Sequence, residues 1–136
     1  MMRTFAKRIT LVFAAGCLGG LANSVTVWAF GAYGITRALG VRLAPNLSAG
    51  WLYPRLVWGG LWGLLFLLPV LRSNPLKRGV LLSLGPTLVQ LFVVFPYQGK
   101  EGVLGMGLGA LTPLFVFVFN AVWGIVTAIW IHYIRE

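Results

Sequence analysis

One run constrains this chain more than any other: Trp51-Leu52-Tyr53-Pro54-Arg55-Leu56-Val57-Trp58-Gly59-Gly60-Leu61-Trp62-Gly63, continuing through Leu64 to Leu71. It carries a single charge, Arg55, near its start. At about 1.5 Å per residue, a helix of this length crosses the ~30 Å hydrocarbon core of a bilayer. In water it would need a polar shell, and the rest of the chain has none to offer. Of the 136 residues, 59% are hydrophobic and only 10% charged, against about 25% charged in soluble domains.

Three more apolar runs flank it, each too long for a strand and without strict alternation. The expected fold is an all-α integral membrane protein, a bundle of four transmembrane helices in one domain over residues 1–136. The helices are expected at about 9–33, 51–71, 79–97 and 109–134. Arg3, Lys7 and Arg8 before the first run, and Ala14-Ala15-Gly16-Cys17 within it, resemble a cleaved leader. The run continues apolar through Leu18, Gly19 and Gly20, so a first transmembrane helix is expected instead. Residues 34–50 read as an interfacial loop or short helix, with Ile35, Leu39 and Leu43 at helical spacing and Arg37 and Arg42 elsewhere on the wheel. The short basic turn from Arg72 to Arg78 makes spans two and three a hairpin. Pro54 is expected in a first helical turn, where its missing N–H costs nothing, and Pro86 at a kink.

Orientation follows from the cationic residues, which concentrate in cytoplasmic loops. With a cytoplasmic N-terminus, Arg3, Lys7, Arg8, Arg72, Lys77, Arg78 and Arg135 lie inside, against Arg37, Arg42, Arg55 and Lys100 outside. Both termini are therefore expected in the cytoplasm, and the location is the cytoplasmic (inner) membrane of a bacterium. Trp28, Tyr33, Trp51, Tyr53 and Tyr97 fall at one membrane face, Trp130 and Tyr133 at the other.

The net charge is +9, with only Glu101 and Glu136 as acids. The basic residues sit at the ends of apolar runs and form no stripe, which points to anionic lipid as a partner and away from nucleic acid. Cys17 and His132 are each the sole residue of their kind, so neither an internal disulfide nor a Cys/His metal site can be assembled. No carboxylate lies in a span, which argues against a proton-coupled pump. No Ser/His/Asp or Cys/His set and no phosphate-cradling loop is present. The expectation is a protein that is not an enzyme and carries no cofactor and no metal.

Two constellations stand out. Asn23, Gln90 and Asn120, on three different spans, share one depth in the outer half, with Arg55 slightly further out and Ser24, Thr26 and Thr87 nearby. An unpaired amide in hydrocarbon is costly, so these side chains are expected to face inward, as interhelical glue or as a site for a small polar or anionic solute. Small-residue pairs four apart, Gly16/Gly20, Gly59/Gly63 and Gly105/Gly109, are expected to let helix backbones approach closely. Trp62 and Trp123, in mid-span, are expected in the core with indole N–H groups in need of acceptors.

The leading functional expectation is a non-enzymatic accessory or structural subunit, packing as a homo-oligomer or within a larger membrane complex. The alternatives are a channel or carrier for a small neutral or anionic solute using the polar layer, and a lipid-binding protein using its arginines.

Overall fold

The computed structural model describes residues 2–134. Among them the architecture is all-helical, without strands, and three helices are long and apolar enough to cross a membrane: Met2–Ala32, Pro75–Gln98 and Thr112–Ile134. Arg135, one of the cations expected inside, lies outside the described residues.

Helix α1 (Met2–Ala32) starts at Met2, before the apolar run. Its 31 residues exceed what ~30 Å of hydrocarbon requires. The surplus is the first two turns, where Arg3, Lys7 and Arg8 are exposed. Gly34, at φ +77°, reverses the chain after α1. A single turn, α2 (Ile35–Ala38), comes next. The rest of the connection is extended rather than helical: Thr36 Oγ1 donates to Leu43 O at 3.0 Å, and Arg42 N donates to Leu108 O at 2.9 Å. Val41 is buried there beneath the end of the bundle.

Helix α3 (Ala49–Trp62) is capped by Ser48, whose Oγ accepts from Trp51 N at 3.2 Å. The cap starts the helix two residues earlier than expected, so Pro54 falls in the second turn rather than the first. The Gly50 carbonyl therefore loses its usual helical donor. The helix then tightens into a 3-10 stretch, Gly63–Leu67, and ends there. Arg78 explains the ending. Although a cation, it is 5% exposed, with its Nη2 donating to Phe66 O at 2.7 Å and Leu68 O at 3.1 Å and its guanidinium over the Phe66 ring. It satisfies carbonyls that the terminating helix leaves open. Hydrogen bonds from a charged donor contribute about 1.5–3 kcal/mol. Arg78→Leu is expected to lower the unfolding free energy by that order, measured by denaturant titration in mild detergent.

Helix α4 (Pro75–Val89) opens on Asn74, whose Oδ1 accepts from Lys77 N at 3.1 Å, with Pro75 at the first helical position. This cap places the start before Gly79, where the apolar pattern alone would put it. From Gln90 to Gln98 the helix widens into π geometry, sealed by Gly99 N donating to Val94 O at 2.8 Å. Pro96 lies within that segment and has no N–H to give an α-type bond. A 3-10 turn, Val103–Gly105, leads to helix α5 (Thr112–Ile134).

The helices pack in the spatial order α3–α1–α5–α4, each antiparallel to its neighbour. The terminal end of the bundle holds the N-terminus of α1 and the C-terminus of α5; the distal end is opposite. Glycines set the close approaches. A Cβ on Gly59 would lie 2.7 Å from Gly16 O and 3.0 Å from Gly20 Cα. A Cβ on Gly79 would lie 2.6 Å from Gly124 C and 2.7 Å from Ile125 Cα. The Gly16/Gly20 and Gly59/Gly63 pairs thus face each other. Gly105 and Gly109 form no helical notch: they precede α5, at φ +69° and +152°, and make the turn that α5 starts from. The apolar core of the terminal half gathers Val12, Ala15, Phe66, Leu82, Trp123 and Ile131. A smaller distal core joins Val27, Val41, Phe115 and Phe119. Tyr33, Tyr53 and Tyr97 are exposed at the distal end, Trp130 and Tyr133 at the terminal end.

Candidate functional site

Between these two cores lies a layer of polar side chains, one or more from every long helix. Asn23 and Ser24 come from α1, Arg55 from α3, Thr87 and Gln90 from the junction of α4 with its π segment, and Asn120 from α5. Helical periodicity aims them inward, and the antiparallel order brings them to one depth. Asn23, Ser24, Thr87 and Asn120 are buried, while Arg55 and Gln90 are half-buried.

The hydrogen bonds run in one direction. Arg55 Nη2 donates to Asn23 Oδ1 at 2.6 Å, and its Nε donates to Ser24 Oγ at 2.9 Å. Asn23 Nδ2 donates to Phe119 O at 2.7 Å and to Asn120 Oδ1 at 3.4 Å. Asn120 Nδ2 donates to Thr87 Oγ1 at 3.1 Å and to Gln90 Oε1 at 3.4 Å. Thr87 Oγ1 donates to Ser83 O at 2.8 Å. The guanidinium fixes the rest: Asn23 must turn its oxygen to Arg55, so its nitrogen points across to α5. Chains of this kind strengthen one another in a medium of low dielectric constant.

Arg55 is held by neutral oxygens and by Trp51, whose ring centroid is 4.6 Å from the guanidinium carbon. Among the described residues no carboxylate pairs with it. Glu101, the one acid placed at the same face by the sequence, instead lies against the turn at Gly107. Donors on the Arg55 guanidinium remain unused.

Two cavities meet at this layer, and Asn23, Arg55, Gln90 and Asn120 line both. The larger, 420 Å³, is a groove between α3 and the α4–π helix, walled by Trp58, Trp62, Val89 and Val93. The smaller, 330 Å³, lies toward the distal end beneath the 42–45 loop, with Trp51, Val116 and Phe119 around it. Arg42, on its rim, donates to Gly107 O and ties that loop to the turn before α5. On the terminal side the layer is closed. Trp123 Nε1 donates to Gly59 O at 3.2 Å, and its ring packs edge-on against Phe66.

Asn23, Arg55, Gln90 and Asn120, singled out in the sequence, are thus brought together. Ser24 and Thr87 join them as direct partners, whereas Thr26 donates to Ala22 O within its own helix. The Trp123 indole finds its acceptor in the Gly59 carbonyl. Gly79 and Gly124 carry no signal in the sequence, because a close approach between two single glycines on different helices leaves no short-range spacing. Arg78 reads in the sequence as a turn cation, and only the 3-10 ending of the preceding helix shows why it is buried.

Comparison with protein-family models, with curated proteins and with solved structures gives no match to this chain.

Proposed function

We propose that this is a membrane-embedded anion-binding protein, with the guanidinium of Arg55 as the group that holds the anion and Asn23, Gln90 and Asn120 as its polar surround. One observation carries the reading. A half-buried guanidinium with spare donors opens onto two cavities and has no carboxylate partner among the described residues. A charge inside a bundle is costly without a counter-ion, and a bound anion supplies one in a fork geometry that arginine suits.

The setting belongs to the same proposal. The protein crosses the membrane four times. Helix α3 and its 3-10 extension together reach about 31 Å, enough for a span. Both termini lie in the cytoplasm of a bacterium, in keeping with the cation count and the exposed Arg3, Lys7 and Arg8. The site then belongs to the outer half of the inner membrane. The packed terminal core favours a closed-ended site over an open pore. The Gly16/Gly20 and Gly59/Gly63 notches are filled from within the chain, by α1 against α3, which leaves neither pair open to a partner subunit.

The test uses protein in nanodiscs of neutral phosphatidylcholine, with tryptophan emission as the signal because Trp51 stacks on Arg55. Inorganic phosphate and octyl phosphate are titrated separately. A saturable response is expected for at least one, weakened at least tenfold in Arg55→Gln and partly kept in Arg55→Lys. An unchanged response in Arg55→Gln, or no saturable response in the wild type, overturns the reading.

A further inference from the structure

We infer that the occupant is an anionic membrane amphiphile, a phosphate or carboxylate head on an acyl chain, that enters sideways from the bilayer between α3 and α4. This rests on the proposed anion binding and adds the identity of the ligand and its route.

The groove between α3 and α4 carries the inference. The two helices meet near the terminal end, where a Cβ on Gly85 would lie 2.9 Å from Leu65 Cδ1 and 3.5 Å from the Trp62 ring. Toward the distal end they part. There α3 packs on α1, the π segment packs on α4 and on the 103–105 turn, and no broad contact bridges the gap. The walls of the gap are apolar and open outward: Trp58 is 61% exposed and Val93 47%. In a bilayer that opening faces acyl chains, not water. At its inner edge the same groove reaches Arg55 and the amides of Asn23 and Asn120.

Apart from the amide of Gln98, a hydrated anion finds no polar side chain along the outer walls, and stripping its water there is costly. An amphiphile satisfies both parts of the cavity. Its head takes the unused donors of Arg55, with room in the smaller distal cavity for the remainder of the head. Its chain lies against Trp58, three residues and about 4.5 Å along the helical rise from Arg55, and leaves there through the open gap, short of the contact between Trp62 and Gly85. The volume of 420 Å³ falls within the usual range for small-molecule sites, about 300–1,000 Å³. The sign of the charge agrees, since the chain is at +9 with two acids in all.

The experiment extends the nanodisc titration. Wild-type protein is expected to bind octyl phosphate at least tenfold more tightly than inorganic phosphate. The variant Val89→Phe/Val93→Phe fills the groove from two exposed positions. It is expected to abolish that preference while leaving the inorganic phosphate response in place. The single change Val93→Phe guards against misfolding of the double variant and should reduce the preference by at least threefold. In native mass spectrometry from nanodiscs doped with phosphatidylglycerol, the wild type is expected to retain one such lipid per chain and the folded groove variants to lose it. Equal affinity for the two phosphates in the wild type, or a groove variant that is folded and keeps both preference and lipid, overturns the amphiphile while leaving anion binding standing. Lipid retained undiminished in Arg55→Gln overturns the anion-binding reading, and the amphiphile with it.

Discussion

Gly79→Ala is expected to lower the stability of the bundle by about 1–3 kcal/mol, the usual cost of forcing atoms into a full interior, and Gly59→Ala by a similar amount. At both sites the added carbon would meet backbone atoms of a neighbouring helix at 3.0 Å or less. Side chains can rotate away from such a contact, but a helix axis must move. Because α1 stands between α3 and α5, displacing it disturbs two interfaces at once. Gly50→Ala is the matched control: its Cβ meets nothing within 4 Å. Surface changes of that kind fall within about 0.5 kcal/mol of zero. Unfolding in graded denaturing detergent, followed by helical circular dichroism, separates the three. Equal midpoints for Gly79→Ala and Gly50→Ala would contradict the close α4–α5 approach.

Asn23→Leu is expected to cost more than the ~0.6 kcal/mol average for interhelical side-chain bonds in membranes. That average describes one pair of partners. Asn23 serves three: it accepts from Arg55 and donates to both Phe119 O and Asn120 Oδ1. Each buried polar partner left unsatisfied costs about 1–3 kcal/mol, and part of the deficit at Arg55 is a charge. A loss of about 2–4 kcal/mol is expected on that scale. The double change Asn23→Leu/Arg55→Leu is expected to lose less than the sum of the single changes, because the second removes the stranded cation. Additive losses in a full double-mutant cycle would show that the two side chains do not act on each other.

The apolar runs make the helices legible, and counting residues from their ends is enough to put Asn23, Gln90 and Asn120 at one depth. Backbone and lipid leave a buried amide few options, so its neighbours are other polar groups at the same height. The order of the hydrogen bonds is not legible, because it depends on which oxygen the guanidinium of Arg55 claims first. Helix ends depart from the apolar pattern where the caps lie outside it, at Ser48 and Asn74. Gly105 and Gly109 have the spacing of a notch, yet their positive φ values belong to a turn. Spacing in the sequence does not report the sign of a backbone angle. The groove itself is invisible in the sequence, since it arises where α3 and α4 fail to meet.

The π segment from Gln90 to Gln98 makes chain length, and not only chemistry, a constraint on the site. Val89, Val93 and Gln98 all reach the groove, at intervals of four and then five residues. A regular α-helix advances about 100° per residue, which would set Gln98 about 140° from Val93 but only about 40° from Val94, also a groove residue. A π segment absorbs an extra residue while the flanking helix keeps its face, so removing a single residue between Leu91 and Phe95 would restore regular winding and take one side chain out of the wall. Substitutions along this stretch change one wall contact at a time. A deletion changes which residues form the wall at all, so variation here is expected to occur by exchange at fixed length.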